Sequence, residues 1–179
     1  VGSGKTIVSI LSILNVINSG HQCALMCPTE ILAKQHYTLI KKIFKNENFE
    51  IEFLTGKTEY KKRKIILTNL TSGKIKLLIG THALFQKKID FKKLGLVVID
   101  EQHKFGVSQR SSLAKKGGSE CDVLLMSATP IPRTMMMSLY GDMDISKIIE
   151  KPAKRKRITT LSKPEKKINE LWPFIKKQI

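Results

Sequence analysis

Leu96-Val97-Val98-Ile99-Asp100-Glu101-Gln102-His103 sets two adjacent acids directly after four apolar residues. Such an unbroken apolar run suits a strand covered on both faces, as in the parallel sheet of an α/β protein. Asp100 and Glu101 then fall at the carboxyl end of that strand, where ligands collect in open α/β sheets. Two carboxylates at the tip of a buried strand are costly unless a counter-charge such as a metal ion compensates them. The opening residues imply that counter-charge. Val1-Gly2-Ser3-Gly4-Lys5-Thr6 leads straight into an apolar helical pattern and matches the end of the phosphate-loop pattern G-x-x-x-x-G-K-[ST]. Together the two stretches predict binding of a nucleoside triphosphate with Mg²⁺ and attack on it by water.

The chemistry assigns a role to each residue. Gly2, Ser3 and Gly4 let backbone N–H groups converge on phosphate oxygens, at the positive end of the helix that follows. Lys5 is expected to hold the β- and γ-phosphates, and the Thr6 hydroxyl to ligate Mg²⁺. Asp100 is the expected partner of the metal, either directly or through a metal-bound group. Glu101 is the candidate general base, expected to orient and deprotonate the attacking water, so Glu101 and Lys5 are the catalytic candidates. Either motif alone has a plainer reading, a chance glycine turn or a solvated acidic cap. Their co-occurrence favours the site.

Outward from these motifs, β-branched runs alternate with amphipathic stretches, which reads as an α/β parallel sheet flanked by helices. Helices are predicted over Thr6 to Ser19, Thr29 to Phe44 and Glu59 to Leu70, the first closed by Gly20 in a left-handed cap. Strands are predicted over Gln22 to Met26, Ile51 to Leu54, Lys76 to Ile79, Leu96 to Ile99 and Asp122 to Met126, with a further helix after Pro132. The pattern defines one nucleotide-binding domain over residues 1–150. At 151–157, Lys-Pro-Ala-Lys-Arg-Lys-Arg has no apolar periodicity and reads as a basic linker. A short strand, Ile158 to Leu161, and a helix from Pro164 onward then open a second domain, 158–179. The chain starts inside a motif, so both domains are expected to be truncated.

Composition narrows the class. At 179 residues and 41% hydrophobic content the chain can bury a core. It has no apolar run of membrane-spanning length. A net charge of +17 suits a polyanionic partner. Most of that charge is lysine in a chain also rich in isoleucine, and solvated surface is the alternative reading. Cys23, Cys27 and Cys121 form no disulfide framework, and no histidine stands at zinc-finger spacing from them. Cys23 and Cys27 would face one side of a strand as buried, reduced thiols of a cytosolic protein.

Longer strings carry a resemblance. Gly-Ser-Gly-Lys-Thr, Asp-Glu-Gln-His and Ser127-Ala128-Thr129 resemble motifs I, II and III of superfamily 2 helicases. Asp100 through Arg110, Ser127 through Thr134 and Tyr140-Gly141-Asp142-Met143-Asp144 are similar to the RecG family of bacterial branched-DNA helicases, along essentially the whole chain. Lys104 and Ser127 depart mildly from that pattern, where arginine and threonine are more frequent. The transcription-repair coupling factors share Ala-Thr-Pro-Ile-Pro-Arg-Thr, but usually carry a second glutamate at the position of Gln102.

The resemblance implies a RecA-like P-loop domain followed by the start of another. It implies ATP and Mg²⁺ as cofactors, branched duplex DNA as partner, and a monomer in the bacterial cytoplasm, with no membrane. Pro28-Thr29-Glu30, Thr55-Gly56 and Thr81-His82 are the implied DNA-backbone contacts. The plainer reading for each is a helix cap or turn. Gln102, His103, Ser127, Ala128 and Thr129 are implied to couple hydrolysis to movement, with a core histidine as the alternative at 103. Met135-Met136-Met137 and Trp172 read as core packing. A duplex translocase acting on a protein partner, a nucleotide-gated DNA clamp and a small-molecule kinase are the competing classes. The kinase explains neither the acidic box nor Ser-Ala-Thr. The isolated chain is expected to be a feeble ATPase, because phosphoryl transfer needs charge partners beyond these residues.

Overall fold

A computed structural model describes residues 3–86, 88–101, 121–129, 144–148, 160, 162 and 164–178. The chain divides into two compact units, Val1–Ile149 and Glu150–Ile179.

In the first unit five strands form one sheet: β1 Gln22–Met26, β2 Glu50–Leu54, β3 Ile75–Gly80, β4 Leu94–Ile99 and β5 Asp122–Leu125. Their spatial order is β2-β3-β1-β4-β5, and every pairing is parallel. Among the described residues, α1 Lys5–Asn18 precedes β1, α2 Glu30–Ile43 joins β1 to β2, and α3 Tyr60–Ser72 joins β2 to β3. These eight elements are all expected from the sequence, with ends shifted by a residue or two. Gly20 is left-handed at φ +86° behind α1.

Strand alternation sorts the core into two layers. Cys23, Leu25, Cys27, Leu77, Ile79, Leu96 and Val98 face Ile10, Ile13 and Ile17 of α1 and Ala33 and Ile40 of α2. Ala24, Met26, Leu78, Val97 and Ile99 face Ile66 and Leu70 of α3 on the other side. The common face expected for Cys23 and Cys27 is therefore found. Burial pushes the Cys23 thiol up to about 12. Cys27 is raised further still, by burial first and by the charge of Asp100 second.

Two details hold the frame. Gly80 ends β3 so close to β2 that a Cβ there would stand 2.1 Å from the Leu54 carbonyl oxygen. At the other end of the sheet, the buried Gln22 amide donates to the Leu70 and Ile75 carbonyls at 2.9 and 2.7 Å. Its Oε1 accepts from the Lys93 amide at 2.9 Å. One side chain thus joins the starts of β1, β3 and β4 to the end of α3, and satisfies two buried carbonyls and a part-buried amide at once.

The second unit contains a 3₁₀ segment, Glu165–Glu170, and α4, Leu171–Gln178. A continuous helix from Pro164 was expected. Pro173 prevents it, because in a longer helix its ring would meet the carbonyl of Asn169 and remove a hydrogen bond. Starting α4 at Leu171 moves Pro173 into a first turn, where no N–H is needed. Trp172 was expected in a core and is instead 59% exposed.

The linker over 151–157, the strand over 158–161 apart from Thr160, the helix after Pro132 and the three methionines lie outside the described residues. Among the described residues, no helix is long and apolar enough to cross a membrane.

Candidate active site

All five strands are parallel, so their carboxyl ends share one edge of the sheet. Read in strand order, that edge carries Thr55-Gly56, Thr81-His82, Pro28-Thr29, Asp100-Glu101 and Ser127-Ala128-Thr129. The sequence-predicted residues thus line up with the expected DNA contacts on the β2, β3 and β1 ends. Of the expected hydrolytic and coupling residues, Asp100 and Glu101 stand at the β4 end and Ser127, Ala128 and Thr129 at the β5 end.

Gly4 caps α1 with φ +92°, a backbone conformation that favours glycine. Its carbonyl accepts from the amides of Ile7 and Val8 at 3.0 and 3.2 Å. The Lys5 and Thr6 amides therefore stand ahead of the helix without intrahelical acceptors. No acidic residue occupies the first turn, which leaves the positive helix end available to an anion. Lys5 and Thr6 are half-buried, and Ser9 secures the turn by donating to the Thr6 carbonyl at 2.8 Å. Gly2 lies outside the described residues.

Asp100 is buried at 8% exposure. Its amide donates to the Met26 carbonyl at 2.9 Å, fixing the chain to the end of β1. Its carboxylate is held from two sides: Oδ2 lies 3.0 Å from His36 Nε2, and Oδ1 accepts from the Glu101 amide at 3.0 Å. Glu101 takes φ +51° and is the one non-glycine residue with positive φ among the described residues. With this backbone the two neighbouring carboxylates meet different partners, Asp100 the His36 imidazole and Glu101 the Ala128 amide. Glu101 Oε2 accepts from the Ala128 amide at 3.5 Å. That long contact connects the acidic box to the Ser-Ala-Thr segment across the ends of β4 and β5. Ser127 Oγ lies 3.0 Å from Thr129 Oγ1 and also accepts from the Thr129 amide at 3.2 Å. Gln102 and His103 lie outside the described residues.

The expected DNA contacts are less uniform. Thr29 caps α2, its Oγ1 accepting from the Leu32 amide at 3.3 Å. The exposed hydroxyl keeps its own hydrogen for an outside acceptor. Thr55 is 4% exposed and closes a turn: its amide donates to Thr58 Oγ1 at 3.0 Å, and its Oγ1 accepts from the Lys57 amide at 3.3 Å. The Thr55 side chain therefore shapes the loop, and exposed Gly56 is the surface it presents. Thr81 is buried with no hydrogen-bond partner for its hydroxyl oxygen among the described residues. Exposed His82 follows at the start of a 3₁₀ turn, His82–Phe85. Lys57 pairs with Glu30 at 3.3 Å and joins two of these loops.

Sequence reasoning missed His36. It stands in α2 between Ala33 and Ile40, spaced three and four residues from them on the buried helix face. That spacing was visible. Its partner, 64 residues away, was not.

Comparison with known proteins agrees with this geometry. The model of the DEAD/DEAH box helicase family matches residues 1–138. The chain belongs to that family, and its sheet with flanking helices is a RecA-like motor domain. Among individual proteins it is similar to the ATP-dependent DNA helicase RecG. It is 46% identical to RecG of Thermotoga maritima, over all of this chain and 23% of the relative. With RecG of Bacillus subtilis the identity is also 46%, over all of this chain and 26% of the relative. A solved structure of RecG bound to a three-way DNA junction superimposes with a TM-score of 0.78 at 43% identity, covering 97% of this chain and 23% of that one. The chain spans about a quarter of the length of the relatives it matches.

Proposed function

We propose that this chain is the ATP-binding part of a RecG-type DNA helicase, which hydrolyses ATP to remodel branched DNA such as stalled forks and Holliday junctions. The observation that carries this reading is the joined β4–β5 edge, where Glu101 meets the Ala128 amide beside the buried Asp100. A hydrolytic acid in contact with a hydroxyl-rich segment is what coupling of ATP turnover to movement requires.

The donor set fits Mg²⁺. Asp100 offers hard carboxylate oxygens, and each keeps lone pairs after its one bond. Among the described residues no three His, Cys, Asp or Glu side chains converge as a metal cage. A magnesium ion held chiefly by phosphates and water needs only one or two protein oxygens. Thr6 and Asp100 would hold it, and when bound it neutralises phosphate charge. Gly2, Ser3 and Gly4 present backbone N–H groups to the phosphates, Lys5 balances their charge, and Glu101 takes the proton of the attacking water.

Pro28, Thr29, Thr55, Gly56, Thr81 and His82 form the DNA side in this reading, with Thr55 acting through the loop it closes. Gln102, His103, Ser127, Ala128 and Thr129 carry the coupling. Loops that meet DNA phosphates without reading base edges suit sequence-independent binding. The second unit is the start of a second RecA-like domain, and the parent protein acts as a monomer in the bacterial cytoplasm.

The test is the ATPase rate of the full-length parent with a fork, a Holliday junction, linear duplex and no DNA, using Glu101→Gln as control. Stimulation greatest with branched DNA and lost in the control is the expected result. Equal stimulation by linear duplex would replace the branched-DNA reading with that of a duplex translocase working on a protein partner.

A further inference from the structure

We infer that His36 is a positioning residue for the hydrolytic site, holding the Asp100 carboxylate in the orientation that receives Mg²⁺; this rests on the nucleotide reading above. A carboxylate only accepts hydrogen bonds, so His36 Nε2 carries the proton of the 3.0 Å contact. Both partners are buried, His36 at 7% and Asp100 at 8% exposure, and Asp100 is the only buried acid among the described residues. A histidine serving only the core would as readily meet a backbone carbonyl. This one meets the single buried carboxylate at the strand end where the site lies.

The geometry limits how Asp100 can move. The Glu101 amide holds Oδ1 at 3.0 Å, but it belongs to the adjacent residue and turns with the same piece of chain. His36 Nε2 holds Oδ2 from another element. Ala33 and Ile40, both 0% exposed, fix the helix face that carries the imidazole. His36 is thus the restraint from a separate element that sets the carboxylate plane, and the Glu101 amide alone would let it turn with its own stretch of chain. Partners of this kind around a metal ligand typically change metal affinity about 10–100-fold when removed.

The experiment uses the full-length protein and reads binding, not turnover. Magnesium is titrated against a fixed amount of a fluorescent non-hydrolysable ATP analogue in wild type, His36→Met and His36→Gln. Methionine keeps much of the bulk without a donor, and glutamine keeps an N–H. The half-saturating Mg²⁺ concentration should rise about tenfold or more in the methionine variant. It should stay within about threefold of wild type in the glutamine variant. Analogue affinity without Mg²⁺ should be alike in all three, which a general loss of structure would not leave unchanged. His36→Leu replaces the methionine variant should that one fail to fold. A wild-type Mg²⁺ curve in the donor-less variant, or an equal shift in the glutamine variant, overturns the inference. Absence of Mg²⁺-dependent binding in wild type would instead overturn the nucleotide reading itself.

Discussion

The two halves of the sheet's carboxyl edge fix their polar side chains in opposite ways. On β4 and β5 the contacts are long-range: His36 reaches Asp100 across 64 residues, and the Ala128 amide reaches Glu101 across 27. On β2, β3 and β1 the threonines bond locally: Thr29 caps its own helix, and Thr55 closes a four-residue turn with Thr58, while the link between their loops is the exposed Lys57–Glu30 pair. The difference suits the two tasks proposed for them. Proton transfer requires groups held to fractions of an ångström, which needs restraint from separate elements. Holding a phosphate backbone requires only that loops present donors along a surface.

The largest expected effect breaks the long-range half. Glu101→Gln in the full-length protein should slow single-turnover hydrolysis by about 10²–10⁴, the usual contribution of a general base, while nucleotide affinity stays nearly unchanged. Normal turnover would remove Glu101 as the base. Next comes the frame beneath the local half. Gly80→Ala places a Cβ against the Leu54 carbonyl and should cost about 3 kcal/mol in urea unfolding. An unchanged midpoint would mean that the β2 and β3 ends part easily.

Thr29→Ala tests whether the local half is separable from the other. Loss of the cap should cost about 1 kcal/mol of stability and weaken DNA binding, with Mg²⁺-nucleotide affinity unaltered. Thr29→Ser should restore both losses. A changed nucleotide affinity would show that the halves are not independent. The smallest effect belongs to Lys57→Ala. Its side chain is 85% exposed in the pair with Glu30, so thermal unfolding should shift by less than about 0.5 kcal/mol. A larger shift would mean that the loop-to-loop ion pair is structural.

How much of this could be read in the sequence differs along the same divide. Leu96–Ile99 followed by two acids disclosed β4 and its polar tip, because continuous apolar character and the position of the acids are local signals. The α1 start was equally plain from Gly4-Lys5-Thr6. The spatial order of the strands was not, since it depends on which apolar faces meet. His36 was missed for the same reason: a histidine between Ala33 and Ile40 reads as ordinary helix until Asp100 folds against it. Thr55 reads in the sequence as a DNA-contacting loop or a plain turn, and only the folded loop shows its hydroxyl accepting from the Lys57 amide. Pro173 was the signal that could have divided the helix expected from Pro164.

The Gln22 amide has a consequence for how the chain finds its strand order. Its donors are satisfied by the end of α3 and the start of β3, and its acceptor by the approach to β4. Apolar strands of similar length can exchange neighbours at little cost in buried area. An arrangement that put another strand beside β1 would leave this amide enclosed and unpaired, a penalty of about 1–3 kcal/mol. One polar residue in an otherwise oily strand thereby acts as a key for assembly, matching β1 to its two proper neighbours and penalising the shuffled sheets that hydrophobicity alone would tolerate.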